Sequence, residues 1–478
     1  MYDTIARTLP ADPDYPARTH CLELLRRVLD GTLYEGLPYS FQDEKGADGT
    51  YIPIRNRRPS VRYPLSRIVV GDSVSLLFGD GHFPTLDCAD HAVRRLLNDI
   101  AVECGLNGAM QEAALRGSVG SVALLLRVLR GRVFVGVLDT PYLTPVWDPE
   151  APDTLISVTE RYKVRGAQLL AQGYEDIEPA AVYWFMRRWD AQREVWFQPA
   201  PVAGGGVAAE DAARTVRHGL GFVPIVWIRN LPGGDEIDGA CTFRPAIETQ
   251  IEIEYQLSQA GRGLKYSSDP LLLIREPAGD ESTMLRGGGN ALVVSEKGDA
   301  KMLEIGGTAS EAVVEYVRTL REFALEAVHG NRASPERMSA AQSGRALELM
   351  NQGLVWLADS LRVSYGDGLL RLVRMIVRAS NVYVLRVTGA EIAPIDAGAR
   401  IGLVWPCWYP PSATDRQADA VTLKTLGEAG DISRETAVRS IAETYGIDDV
   451  GAEIARIDAE RQGTLVELGH GNEADAPS

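Results

Sequence analysis

A chain of 478 residues is too long for one compact core and, at about 150 residues per domain, has room for roughly three. Hydrophobic residues at 45% and charged residues at 24% exclude a fibrous repeat and global disorder. With 49 basic and 65 acidic side chains, the net charge of −16 argues against a static grip on nucleic-acid phosphates, but not against a surface along which DNA slides.

Residues 1–60 are rich in Pro and Arg after a short helical stretch, Cys21 to Leu29. Arg55, Arg57, Arg58 and Arg62, beside Pro53, Pro59 and Pro64, form a basic cluster. It reads either as a solvated loop or as a contact with a neighbouring subunit or DNA. From Asp90 to Leu115 the apolar residues Val93, Leu96, Leu97, Ile100, Val102 and Leu106 recur at helical spacing. A β-rich section follows: Ser121–Arg130 and Arg132–Leu138 flank Gly131 as a hairpin, with Val133, Val135 and Val137 alternating. A second strand pair, Ala181–Arg188 and Glu194–Phe197, brackets Trp189-Asp190-Ala191, and His218 to Trp227 reads as a turn followed by a short buried strand. Residues 1 to about 240 read as one mixed α+β domain.

The character then changes. Thr242 to Tyr266 is helical, with Ile247, Ile251, Glu254 or Tyr255, and Leu257 or Ser258 on adjacent turns, and Pro270 stops it. Leu271–Ile274, Ala291–Val294 and Met302–Ile305 are short strands around the glycine-rich tip Gly287-Gly288-Gly289. Thr308-Ala309-Ser310-Glu311 has the form of a capping box, and Val313, Val317, Leu320, Ala324 and Val328 follow as a stripe on one helix face. A small β unit is thus held between two helices, the order of a lobe on a two-helix stalk. Residues 330–343 are a polar loop broken by Pro335. The longest amphipathic helix, about 344–380, comes next, and Gly366 with Gly368, each costing about 1 kcal/mol against Ala, predicts a kink. Asn381–Val387 and Arg400–Trp405 read as strands, two or three helices run to about Gln462, and the last residues are a polar, disordered tail.

Motifs for catalysis or metal binding do not stand out. No Gly-x-x-x-x-Gly-Lys-[Ser/Thr], HExxH or Gly-x-Ser-x-Gly occurs, and the six histidines are dispersed. His82 near Asp80 and Asp87 comes closest to a metal cluster, and a surface turn accounts for it as well. Cys21, Cys88, Cys104, Cys241 and Cys407 are odd in number and lack CxxC spacing, which suits a reducing compartment. No signal pattern begins the chain, and no apolar run approaches the ~20 residues of a membrane span. The expectation is a chain without catalytic residues, metal or cofactor, and without a membrane anchor.

Several pieces in a fixed order carry a resemblance. Ser258 lies on a helix that leads through Asp269-Pro270 into Leu271-Leu272-Leu273-Ile274, and the helix from 308 and the polar loop follow. Ser343-Gly344-Arg345-Ala346-Leu347 then opens the long helix, and Ile401-Gly402-Leu403-Val404-Trp405 precedes Gly430-Asp431-Ile432-Ser433-Arg434-Glu435-Thr436. Over Thr242 to Gln462 this resembles the portal proteins of tailed double-stranded DNA bacteriophages. The resemblance implies an α+β portal fold assembled as a ring, with a wing, a two-helix stem, a small β-rich clip, a long kinked helix and a helical crown. Its divisions would be 1–240 wing, 241–268 stem helix, 269–307 clip, 308–329 stem helix, 330–343 tunnel loop, 344–387 long wing helix, 388–465 crown and 466–478 tail.

The same resemblance implies a dodecameric homo-oligomer at one capsid vertex, assembled in the host cytoplasm and retained in the virion. Double-stranded DNA would pass through it without sequence specificity during packaging and ejection. Its expected partners are the terminase large subunit, the head-tail connector or adaptor, and the major capsid and scaffolding proteins. Asn331, Arg332, Ser334, Glu336, Arg337, Ser339 and Gln342 would line the channel from the tunnel loop. Arg275, Glu276, Arg286, Gly287, Gly288 and Asn290 would form the docking clip. Two other readings stay open on the residues: an acidic cytosolic enzyme of unrecognised type, which needs a pocket of convergent polar groups, and another virion connector component.

Overall fold

The computed structural model describes residues 1–79, 81–204, 208–268, 271–277, 294–303, 308–330, 348–409, 412–445, 447 and 449–471. The chain divides into two compact units, one formed by 1–334 with 351–408, the other by 335–350 with 409–478. Helix and sheet are mixed, as the α+β reading expects.

In the first unit, α1 (Ala17–Leu29), α2 (Leu65–Phe78), β1 (Thr85–Cys88), α3 (His91–Glu103) and α4 (Leu106–Gly117) precede the sheets. The helix read over Asp90–Leu115 is therefore two. Asp90 caps α3 by accepting from the Ala92 and Val93 amides, and Gly105, at φ 63°, takes the left-handed conformation that separates it from α4. β2 (Ser121–Leu129) and β3 (Arg132–Asp139) form the expected hairpin, in register from Leu129↔Arg132 to Val122↔Asp139. Arg130 and Gly131, at φ 51° and 80°, make the two-residue turn with positive φ at both positions that suits strand twist.

A second sheet contains β4 (Leu143–Trp147), β5 (Leu155–Arg165), β6 (Val182–Trp189), β7 (Arg193–Trp196) and β8 (Val216–Arg217), each antiparallel to its neighbour. β9 (Ile225–Arg229) returns to pair with β2. Next come α5 (Ile247–Ser268), β10 (Leu271–Pro277), β11 (Val294–Leu303) and α6 (Thr308–Ala327). The long helix α7 (Gln352–Ser380) and β12 (Ile401–Val404) complete the unit. β12 pairs with β1, from Ile401↔Cys88 to Val404↔Thr85.

The largest core cluster forms where α7 lies against α2 and the β9–β2–β3 sheet. Leu361, Tyr365, Leu369, Leu372 and Ile376 are each no more than 3% exposed, which is the outcome expected of an apolar series stepping by three or four. Tyr365 donates to Asn230 Oδ1 at 3.1 Å, and Asn230 in turn donates to Ala240 O and Thr242 Oγ1, each at 2.8 Å, so a buried polar network joins α7 to the exit of β9. α7 is helical through both glycines. Added Cβ atoms would meet Trp405 Cζ2 at 3.3 Å from Gly366 and Ile228 Cδ1 at 2.4 Å from Gly368. Close packing thus accounts for both residues.

The segment read as a strand over Asn381–Val387 is a turn that reaches strand geometry only at Arg386–Val387, and Val382 and Val384 are exposed. After β12, Arg362 lies between two indoles, 4.7 Å from the Trp405 ring and 3.1 Å from that of Trp408. Burial lowers its guanidinium to about 10.

The second unit contains α8 (Ala413–Ala429), α9 (Arg434–Tyr445) and α10 (Val450–Gly471). Ser412 and Asp415 form a capping box, and Gly430 ends α8 at φ 77°. Arg434 pairs with Asp458, tying α9 to α10. The last helix reaches into the segment expected to be a tail, and residues 472–478 lie outside the described ones.

Candidate functional site

The two helices expected to form a stalk, α5 and α6, pack side by side in the first unit. β10 and β11 pair antiparallel between them in sequence, from Leu271↔Leu303 to Arg275↔Asp299. Of the strands read separately at Ala291–Val294 and Met302–Ile305, Val294, Met302 and Leu303 fall on this one strand, and residues 291–293 and 304–305 lie outside the described ones. A register shift falls between Arg275↔Asp299 and Pro277↔Val294, with the extra residues on β11 opposite Glu276. Of the expected docking residues, Arg275 and Glu276 lie on β10, whereas Arg286, Gly287, Gly288 and Asn290 lie outside the described residues. So do all the expected channel residues, Asn331, Arg332, Ser334, Glu336, Arg337, Ser339 and Gln342.

At its N-terminal end α5 buries two adjacent rows at i, i+4 spacing. Ile247, Ile251 and Tyr255 form an apolar row, and Gln250, Glu254 and Ser258 form a polar one, all no more than 5% exposed. The polar row holds a non-repeating, proline-punctuated segment whose amides have no ladder to join. Val61 N–H donates to Ser258 Oγ at 3.0 Å and Tyr63 N–H to Glu254 Oε1 at 3.1 Å, while Ser66 donates through N–H and Oγ to Gln250 Oε1 at 2.9 and 2.6 Å. The Tyr34 hydroxyl donates to the other oxygen of Glu254. Burial raises the Glu254 carboxyl above its usual 4.5 against the pull of these hydrogen bonds, and burial with the carboxylate's charge raises the Tyr34 phenol.

Arg57, read in sequence as part of a solvated or DNA-facing cluster, does neither. It is fully buried, and donates from Nε and Nη2 to Ile52 O, with the first distance 2.9 Å. Its own carbonyl accepts from the Tyr255 hydroxyl at 2.8 Å. Arg262, on the next turns of α5, pairs with Glu44. The helix α5 is therefore locked to residues 34–66, a contact that sequence reasoning missed. Its one signal was the undecided choice of Glu254 or Tyr255 for the inner face, and both point inward.

The apolar stripe of α6 turns toward its own protomer. Ala324 and Val328 are buried, and Val317 and Leu320 are half-buried against the main core. Other large side chains remain in solvent: Val314, Tyr316 and Phe323 on α6 at 45%, 47% and 62% exposure, Leu264 on α5, and Trp356 and Val363 on α7. Among the described residues, no three His, Cys, Asp or Glu gather as a metal site, and no helix is long and apolar enough to cross a membrane. A cavity of about 300 Å³ has Arg26, Arg67 and Arg116 in its wall, but each is ion-paired to Asp139, Asp30 or Glu112.

A family model described as "Phage portal protein, SPP1 Gp6-like" matches residues 49–465. No curated protein matches the chain. Among solved structures, a chain from the virion of a native gene transfer agent (GTA) particle aligns with TM-score 0.40 and 14% identity, over 83% of this chain and 96% of that one. A chain from the neck of an empty GTA particle aligns with TM-score 0.40 and 12% identity, over 79% and 88%.

Proposed function

The chain belongs to the SPP1 Gp6-like family of phage portal proteins, a family of structural proteins, and we propose that it forms a dodecameric ring at one capsid vertex through which double-stranded DNA enters and leaves. In this reading the terminase large subunit docks on the clip during packaging and the head-tail connector replaces it afterwards. Residues 1–240 and 344–387 form the wing, 241–268 and 308–329 the stem, 269–307 the clip, 330–343 the tunnel loop and 388–465 the crown. The wing and crown meet the major capsid and scaffolding proteins.

The observation that carries the reading is a helix pair, bridged in sequence by a strand pair, that leaves Tyr316 and Phe323 in solvent. Their i, i+7 spacing puts both on one side of α6, where a neighbouring copy in a closed ring would cover them. The acidic balance supports the same reading. A channel must pass DNA rather than hold it, and a chain of net charge −16 offers little non-specific adhesion. Electron microscopy of the purified full chain in negative stain tests the proposal. Annular particles with a central hole are expected, and a monodisperse monomer at micromolar concentration overturns it.

A further inference from the structure

The outer face of the sheet that contains β5 and β6 carries cations the assembly reading leaves without a role. Arg161, Lys163 and Arg165 alternate along β5, while Tyr162 and Val164 turn the other way, into a cluster with Tyr183 and Phe185. Trp184, opposite Lys163 in register, is the hub of the outer face: the Arg161 guanidinium lies 3.8 Å from its ring centroid and the Lys163 ammonium 5.3 Å. Val182, opposite Arg165, is exposed, as is Val146 on β4. Among the described residues no carboxylate lies within ion-pairing distance of Arg161 or Arg165.

Part of this face already holds a peptide, and that peptide is acidic. Lys163 Nζ lies 2.7 Å from Asp12 and 2.6 Å from Asp14, and its backbone amide donates to the Tyr15 hydroxyl at 2.7 Å. The Tyr15 ring meets Trp184 edge-on, with centroids 5.6 Å apart. The chain's own Asp12-Pro13-Asp14-Tyr15, a turn closed by the Tyr15 N–H donating to Asp12 O at 3.1 Å, brings both carboxylates to one ammonium and shows which chemistry fits here: acidic groups beside an aromatic ring. Along an extended peptide, side chains on one side recur every ~6.8 Å, the spacing at which β5 presents its cations.

We propose that Arg161 and Arg165 extend this site and dock an acidic, extended segment of a partner protein, beside the resident residues 12–15. A protein segment fits better than duplex DNA, because Val146 and Val182 on the same face would oppose phosphates rather than apolar side chains. The experiment is fluorescence anisotropy of the full chain with a labelled Asp-Thr-Asp-Thr-Asp-Tyr peptide, its Asn-for-Asp counterpart and a short duplex DNA. The acidic peptide is expected to bind in preference to the other two. The double substitution Arg161→Glu with Arg165→Glu weakens it by about tenfold, since each reversal replaces an attraction with a repulsion. Asp12→Asn with Asp14→Asn, which frees Lys163, tightens it. The proposal is overturned by peptide binding that ignores both double substitutions, by no binding in either the wild type or the Asp12/Asp14 variant, or by duplex DNA that outcompetes the peptide through the same arginines.

Discussion

Glu254 takes a carboxyl group into the buried face of α5, where it is 2% exposed and has hydrogen-bond donors but no ion pair among the described residues. Burial raises it above its usual 4.5, so in the window just above that value the folded chain holds a proton that the unfolded chain has released. When the folded state binds more protons, stability falls as pH rises. The contribution is therefore best below 4.5 and is lost as pH climbs through the folded value. Glu254→Gln keeps an acceptor oxygen for the Tyr63 amide, offers its NH2 to the Tyr34 oxygen as a donor, and cannot ionise. Thermal melts from pH 4 to 8 are expected to show the wild type losing ground to the variant as pH increases, and parallel curves would mean that the carboxyl does not titrate in this range. Residue type and spacing marked Glu254 as a candidate for the inner face. What they could not reveal is the partner, because Tyr34 and Tyr63 approach it from 220 and 191 positions away in sequence. Arg57 failed for a related reason: the carbonyl that takes its guanidinium, that of Ile52, becomes available only once the loop has closed.

Among elements, those set by local signals were legible. The β2–β3 hairpin follows from alternation around Gly131, and the helical character of α5, α6 and α7 follows from period. The pairing of β1 with β12 was not legible, since a four-residue strand at Thr85 contains nothing that names Ile401 as its neighbour. Val382, Tyr383 and Val384 looked like a strand on propensity alone, yet Val382 and Val384 face solvent. Glycine in a helix is the more instructive case. Propensity reads Gly368 as a weak point, whereas the structure places Ile228, itself 2% exposed, against its bare Cα. Two effects oppose each other in Gly368→Ala: helix propensity favours alanine by about 1 kcal/mol, and overpacking costs about 1–3 kcal/mol. With Ile228 Cδ1 and Cγ1 at 2.4 and 2.6 Å from the added carbon, overpacking wins. Gly71→Ala in α2, where nothing lies within 4 Å, should gain up to about 1 kcal/mol. Melting temperatures of the two variants are expected to move in opposite directions.

For the whole molecule, the helix–strand–strand–helix order was legible because it is a sequence of local elements, whereas the surface left for a neighbour was not. Periodicity marked Val313, Val317, Leu320, Ala324 and Val328 as the stripe of α6, and the protomer itself takes up its lower half, at Ala324 and Val328. The expected channel loop and most of the expected clip tip lie outside the described residues. What a proposed ring would cover is instead Tyr316 and Phe323. Full burial of such a side chain contributes about 1.5–3 kcal/mol, and a closed ring repeats that contribution at every interface. A carboxylate at this position would have to be desolvated as many times, and the chain is already strongly acidic. Phe323→Glu is therefore expected to disperse the rings into smaller species in size-exclusion chromatography with light scattering. The same substitution should leave the melting of the separated protomer nearly unchanged, because 62% of the side chain is already in solvent there. Rings that survive the change, with a protomer that melts several degrees lower, would assign Phe323 to the protomer's own packing and move the proposed subunit contact to another face of the α5–α6 pair.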